Sequence, residues 1–285
     1  AVESFEKAVT LKPDYAEAQY NLGVILRELG KVDAAIKSYE NALASKHAYP
    51  NVHNNLGNIF LELSQLKAAA DHFEWAVAYN PEFDTAHNNL GSTLLALGQV
   101  DAAVESFQKA LTVNPDYAGA HNNLGIALHR LGQVDGAVES YEKALAVNPD
   151  YAEAHNNLGN AFRELGQLDD SVKCYKKALT LKPDYSRAQN NLGIAFKQLG
   201  QLDDAVECYE KALAVNPDYT EAHNNLGNAF KELGQLDDAV KSYEKALELN
   251  PDYSYAHNNL GTVFKELGQV DAAVECYEKA LAINP

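Results

Sequence analysis

Apolar residues recur along this chain at helical spacing, in blocks that repeat every 34 residues without an insertion or deletion. With repeat position 1 set at Ala16, leucine fills position 7 and glycine position 8 of every repeat, from Leu22 and Gly23 to Leu260 and Gly261. Within a repeat, apolar residues fall three or four apart from position 1 to about 14, and again from there to about position 30. The pattern predicts two helices per repeat and no strand, and therefore an all-α chain.

Glycine and proline mark the expected ends of these helices. A second glycine column stands at position 15, with Ser64 as the exception, and we expect it to close the first helix in a left-handed conformation. Proline at position 32 ends the second helix, except where His47 takes its place and Pro50 is displaced. Some junctions carry Asp followed three residues later by Glu, as at Asp150 and Glu153, which predicts a capping box for the next helix.

Small and large residues alternate in a way that predicts close helix packing. Glycine at position 8 and alanine at positions 20 and 27 leave little side chain between facing helices, while phenylalanine or leucine at position 11 and an aromatic residue at position 24 supply bulk. One helical hairpin cannot bury these faces alone. We therefore expect neighbouring repeats to stack, with contacts only between adjacent ones.

The columns resemble a known family. In the repeat spanning 186–219, positions 7, 8, 11, 20, 24, 27 and 32 are Leu192, Gly193, Phe196, Ala205, Tyr209, Ala212 and Pro217. This pattern is similar to that of the tetratricopeptide repeat (TPR) family. The resemblance implies a right-handed superhelix, an α–α solenoid of stacked antiparallel helix pairs, forming one array over residues 1–285. Its parts would be a second helix (1–15), full repeats (16–49, 50–83, 84–117, 118–151, 152–185, 186–219 and 220–253) and a last repeat (254–285).

The same resemblance implies a function. Tetratricopeptide arrays generally hold another polypeptide in a concave groove lined by the first helix of each pair, so we expect a scaffold that binds a peptide or partner protein. No phosphate-binding loop or nucleophile elbow interrupts the repeats. We therefore expect no enzyme activity, no catalytic residue and no cofactor. The alternative is that the chain is the substrate-recruiting arm of a larger enzyme of the glycosyltransferase or sulfotransferase type.

Asparagine dominates the first helices and supplies the candidate peptide-binding residues. Amides both donate and accept hydrogen bonds, which suits the backbone of an extended peptide. Such a ladder resembles the tetratricopeptide region of O-linked N-acetylglucosamine transferases. A second interpretation stays open, in which these amides only tie one helix to its neighbour. The candidates are Asn21, Asn55, Asn89, Asn123, Asn157, Asn191, Asn225 and Asn259 at position 6, Asn122, Asn156 and Asn224 at position 5, and Arg163, Lys197, Lys231 and Lys265 at position 12.

Histidine forms a column at position 4, of which His53 and His87 are the first two members. Successive members stand about one helix diameter apart, too far for two of them to bind one ion at nitrogen distances near 2 Å. We therefore predict no metal site and interpret the column as partly buried packing residues. Acid-triggered loosening of the fold is the weaker alternative.

Charge and cysteine content narrow the expected partners and location. With 40 acidic and 23 basic residues the net charge is −17, which disfavours nucleic acid, and no apolar run is long enough for a membrane span. Cys174, Cys208 and Cys276 share position 23, and helices about 8–10 Å apart are too distant for disulfides. Free thiols favour a cytoplasmic location. The chain opens at position 20 without methionine, so we expect a longer natural chain or end-to-end self-association.

Overall fold

The computed structural model describes residues 2–284, and every regular element in that range is an α-helix. Contacts divide the chain into two compact units, an N-terminal unit up to Asn148 and a C-terminal unit from Pro149. The N-terminal unit contains α1 (Val2–Leu11), α2 (Ala16–Glu28), α3 (Val32–Ser45), α4 (Pro50–Glu62), α5 (Leu66–Tyr79), α6 (Asp84–Ala96), α7 (Val100–Val113), α8 (Ala118–Arg130) and α9 (Val134–Val147). The C-terminal unit contains α10 (Ala152–Glu164), α11 (Leu168–Leu181), α12 (Ser186–Gln198), α13 (Leu202–Val215), α14 (Thr220–Glu232), α15 (Leu236–Leu249), α16 (Ser254–Glu266) and α17 (Val270–Ile283).

Within each unit the helices form the pairs that the periodicity predicts. Each even-numbered helix, the first helix of its repeat, packs along the odd-numbered helix that follows it, and each second helix packs on the next first helix. The three-residue connection inside a pair makes the two helices antiparallel. The prediction of an all-α chain of stacked helix pairs is confirmed. That residues 1–285 form a single array stays a prediction.

The turn inside each pair depends on one left-handed residue. Gly30 has φ +72°, its N–H donates to the carbonyl of Arg27, and the N–H of Lys31 donates to the carbonyl of Leu26. Ser64 keeps this conformation at φ 59° with the same two bonds, although a side chain makes it less favourable. The expected helix end at position 15 is confirmed, including its exception.

The capping boxes predicted at the junctions are wrong by one residue. Helix α10 begins at Ala152 with Tyr151 as its N-cap, so Asp150 lies before the cap and Glu153 lies at the second helical position. No side-chain capping bond forms there. Three junctions instead use the asparagine at position 31, as where Asn216 Oδ1 accepts a hydrogen bond from the backbone N–H of Asp218 at 3.3 Å.

The core of each pair is built on an aromatic ring that lies against glycine. A Cβ added to Gly193 would stand 2.6 Å from Cε1 of Tyr209, and the other glycines at position 8 meet the ring at position 24 in the same way. These rings are almost completely buried in all but the last repeat. Glycine at position 8 is therefore required by packing, because the ring occupies the volume that any side chain would need.

Candidate functional site

The two neighbouring asparagine columns have different environments. Position-5 asparagines are 1–8% exposed in six first helices, whereas position-6 asparagines are half-buried or, at Asn21, exposed. The six buried residues are Asn54, Asn88, Asn122, Asn156, Asn190 and Asn224. In these six helices the position-6 asparagine therefore presents its amide on the surface, whereas in α16 the position-5 residue Asn258 is exposed as well.

Hydrogen bonds connect the two columns between adjacent first helices. In the N-terminal unit, Nδ2 of Asn89 donates to Oδ1 of Asn54 at 3.1 Å, and Asn123 donates to Asn88 at 3.0 Å. The C-terminal unit has three such bonds at 3.0 Å, from Asn191 to Asn156, from Asn225 to Asn190 and from Asn259 to Asn224. Each bond fixes the orientation of a surface amide.

These bonds change the role expected for three candidates. Asn122, Asn156 and Asn224 lie buried behind the surface, and the Oδ1 atoms of Asn156 and Asn224 already accept a bond from the next repeat. They position the surface amides rather than lie among them. The interpretation that some asparagines tie one helix to the next applies to this column.

The basic residues predicted at position 12 are partly engaged within the chain. Lys197 Nζ lies 2.8 Å from Oε1 of Glu232 in the next repeat, and Arg27 makes the equivalent ion pair with Glu62. Burial raises the pKa of the Tyr175 hydroxyl, and the neighbouring guanidinium of Arg163 offsets part of that rise. Lys231 is half-buried and Lys265 exposed. The basic row is therefore less positive than its sequence indicates.

Asparagine at position 9 also has a structural role, because it accepts a bond from the buried ring at position 24. Tyr175 donates to Asn160 Oδ1 at 2.7 Å, and Tyr243 donates to Asn228 Oδ1 at 2.8 Å. Tyr209 belongs to the repeat in which Ile194, which cannot accept a hydrogen bond through its side chain, fills position 9. Its buried hydroxyl has no hydrogen-bond partner among the residues that the structure describes.

This difference gives a prediction for one substitution at two sites. Tyr209→Phe should leave stability unchanged or raise it by up to about 1 kcal/mol, because it removes a buried hydroxyl that makes no bond. Tyr243→Phe should cost about 1 kcal/mol, because Asn228 loses its donor. Urea denaturation followed by circular dichroism measures both. Equal effects of the two substitutions would show that the Asn228 bond does not stabilise the fold.

The histidine column bonds to the preceding turn. In five repeats the histidine Nε2 lies 2.8–2.9 Å from the carbonyl oxygen of the proline six residues earlier, as His87 does with Pro81. Gln19 places Nε2 3.4 Å from the carbonyl of Pro13, so the shared feature is an N–H donor. Within residues 2–284 no group of three or more His, Cys, Asp or Glu side chains could hold a metal ion.

The structure adds an aromatic cluster that the sequence did not identify. Nδ1 of His53 lies 3.1 Å from Nδ1 of His72, and the rings of Trp75, Tyr79 and Phe60 pack around this pair. Burial lowers the pKa of His53. The pKa of His72 is lowered to about 4, by burial and by the neighbouring His53 ring. The available signal was Trp75 itself, in a column that is otherwise mostly lysine.

Comparison with known families supports the repeat pattern. A family model described as the cilia and flagella-associated protein 70 C-terminal domain matches residues 3–216. The chain belongs to this family of tetratricopeptide-repeat domains. Three tetratricopeptide-repeat models match residues 208–241, 227–268 and 254–285. No curated protein matches the chain.

Solved structures share the fold of this tetratricopeptide chain. MamA is 28% identical with a TM-score of 0.52, over 56% of this chain and 94% of MamA. Pseudomonas aeruginosa PilF is 24% identical with a TM-score of 0.62, over 68% of this chain and 88% of PilF. YrrB, described as a TPR protein with an unusual peptide-binding site, is 22% identical with a TM-score of 0.53, over 66% of this chain and 96% of YrrB. At these identities PilF and YrrB show the fold alone.

Among residues 2–284, no helix is long and apolar enough to cross a membrane.

Proposed function

We propose that the first helices of the C-terminal unit bind an extended peptide through the amides of Asn191, Asn225 and Asn259. The observation that carries the proposal is their common geometry: each is half-buried, and each donates one Nδ2 hydrogen bond of 3.0 Å to the preceding first helix. An asparagine amide offers two donors and an acceptor oxygen. One N–H and the oxygen are therefore left for a guest, on a side chain whose orientation is already fixed.

The spacing of these amides suits a peptide backbone. Neighbouring packed helices stand about 8–10 Å apart, and an extended chain rises about 3.3 Å per residue. Each step along the column therefore corresponds to about three peptide residues. Because an amide recognises backbone N–H and C=O groups, binding of this kind tolerates many sequences. YrrB, of the same fold, is described as having a peptide-binding site, which fits this use of the fold.

The flanking charges indicate which peptides bind best. Lys231 and Lys265 lie at position 12 of the same helices, whereas Lys197 is engaged with Glu232. In the C-terminal unit, the columns at positions 6 and 12 begin on α10 with Asn157 and Arg163. The position-6 column of the N-terminal unit consists of Asn21, Asn55, Asn89 and Asn123. We expect peptides with a few acidic side chains to be favoured, with a modest dependence on salt.

The test uses peptides selected from a random display library against the wild-type chain. Changing Asn191, Asn225 and Asn259 together to alanine should weaken binding of the selected peptides at least tenfold, because the backbone loses three oriented partners. The matched control changes Gln201, Gln235 and Gln269 to alanine, which removes three exposed amides from the starts of the second helices. Circular dichroism checks that both variants fold. Unchanged binding by the asparagine variant would refute the proposal.

Two further hypotheses remain beside this proposal. A substrate-recruiting arm of a larger enzyme would use the same first-helix surface, and the coding sequence on either side of the chain would distinguish it from an independent scaffold. We expect this chain itself to have no catalytic activity. End-to-end self-association stays a prediction, which light scattering over a concentration series would test.

A further inference from the structure

A pocket lies on the second-helix side of the N-terminal unit, away from the asparagine columns. It has a volume of about 450 Å³ and is lined by Glu40 of α3, His53 of α4, and Trp75 and Tyr79 of α5, among others. Trp75 is 52% exposed and Tyr79 39% exposed. Their rings are stacked, with centroids 5.6 Å apart and planes 21° apart. The pocket therefore presents a broad aromatic face to solvent.

Trp75 stands in a column where the later repeats carry a cation. Position 26 is lysine at Lys109, Lys143, Lys177, Lys211, Lys245 and Lys279. Several of these lysines neutralise the acidic residue one turn earlier, as Lys143 does with Glu139 at 2.7 Å and Lys279 with Glu275 at 2.7 Å. The equivalent acid before Trp75 is Asp71, and the residue four positions after it is tryptophan in place of lysine. At this position the repeat therefore carries no lysine to pair with the acidic residue one turn earlier.

The surroundings of Trp75 are acidic. Glu40 lines the pocket, and Asp71 and Glu74 precede Trp75 on α5, all three exposed. The buried histidines do not offset this charge at neutral pH, because burial holds the pKa of both His53 and His72 below the ordinary value. His53 is further fixed by its Nε2 contact of 3.3 Å with the carbonyl oxygen of His47. The pocket thus combines an aromatic face with one carboxylate, that of Glu40, which makes no ion pair within residues 2–284.

Elsewhere the chain's own lysines lie over half-buried aromatic rings. Lys46 lies over the ring of Tyr49 with Nζ 4.5 Å from the centroid, and Lys182 lies over Tyr185 at 5.1 Å. Over Trp75, no lysine or arginine of residues 2–284 takes this position. Tryptophan is the aromatic residue that attracts a cation most strongly. A cation from outside the chain would complete the pattern.

We propose that this pocket binds an arginine side chain presented by a partner polypeptide. A guanidinium is planar and stacks on a flat aromatic face, and it can pair with a carboxylate through two parallel hydrogen bonds. Stacked Trp75 and Tyr79 supply such a face, and Glu40 supplies the carboxylate. The net charge of −17 favours approach of a basic segment. This site is separate from the asparagine columns, and neither depends on the other.

The first test uses Trp75 as the reporter, because it is the only tryptophan in the chain. The probe is an acetylated and amidated Gly-Arg-Gly peptide, and its control carries citrulline, which has nearly the same shape without the charge. We expect the arginine peptide to change Trp75 fluorescence saturably at low salt, with a dissociation constant on the order of millimolar. The citrulline peptide should bind at least tenfold more weakly. Equal responses to the two peptides would overturn the proposal.

The second test locates the site with variants, using saturation-transfer NMR on the peptide so that no tryptophan is needed. Trp75→Lys installs the residue that the column carries elsewhere, so it should fold normally and lower the affinity at least tenfold. Glu40→Gln should lower it about threefold by removing one exposed charge partner. Glu142→Gln changes an exposed glutamate at the same repeat position in a later repeat, and should have no effect. Unchanged affinity of Trp75→Lys would show that the peptide binds elsewhere.

Discussion

Replacing Gly125 by alanine is expected to destabilise the chain by about 2 kcal/mol. A Cβ at this position of α8 would lie 2.5 Å from Cε1 and 2.7 Å from Cδ1 of Tyr141 on α9. Tyr141 is 1% exposed, so its ring has no solvent to turn into and the two helices must separate. Overpacking of this kind costs about 3 kcal/mol at the upper end of its usual range. Alanine regains about 1 kcal/mol of helix propensity, which offsets only part of that cost.

A second glycine in the same pair provides the matched control. Gly136 lies in α9, where an added Cβ would stand 3.4 Å from Cδ1 of Leu128, an ordinary contact, and the preceding repeat has Ala102 there. Gly136→Ala should therefore stabilise the chain by up to about 1 kcal/mol. Urea denaturation measures both variants, and hydrogen exchange shows whether α8 and α9 open first, since repeats unfold partly independently. If Gly125→Ala were as stable as the wild type, the ring contact would not explain the glycine.

Periodicity predicts the helices well but predicts their contacts only in outline. The 34-residue columns place the helices because each repeat must bury its apolar stripe against the next. They also show that small residues at position 8 and rings at position 24 belong to the core. They do not show that the ring of Tyr141 lies directly on Gly125, because this depends on the angle and distance between two helices. The capping boxes were misplaced for a similar reason, because a shift of one residue in the start of a helix changes which side chain is the N-cap.

The asparagine columns show the same limit at the candidate site. Asn190 and Asn191 are identical neighbours in the sequence, and successive residues of a helix point about 100° apart. That rotation turns Asn190 into the interface with the next first helix and leaves Asn191 on the surface. Which of the two is buried follows from how the first helices pack on each other. The sequence therefore identifies the amide-rich surface, whereas the structure selects the amides that can reach a guest.

Lowering the pH from 7 to 4.5 is expected to destabilise the region around α5 by about 2 kcal/mol through His72. Burial lowers the pKa of His72 from 6.5 to about 4, so the folded chain binds this proton more weakly than the unfolded chain does. The stabilisation from neutral His72 is present above pH 6.5 and is lost as the pH falls toward 4. One proton changes the free energy of unfolding by up to about 1.4 kcal/mol per pH unit. His53 adds to the effect in the same direction, because its pKa is lowered as well.

His72→Ser isolates this contribution, since serine fills the same repeat position at Ser38 and Ser106. The variant loses the ring stacked on Phe60 and should be less stable at pH 7, but its stability should fall less steeply between pH 6.5 and 4.5. Urea denaturation followed by the fluorescence of Trp75, whose ring packs on His53, reports this region selectively. His47→Ser removes an exposed histidine instead and serves as the control. If His72→Ser and the wild type kept parallel pH profiles, the His53–His72 pair would not be the acid-sensitive element of this fold.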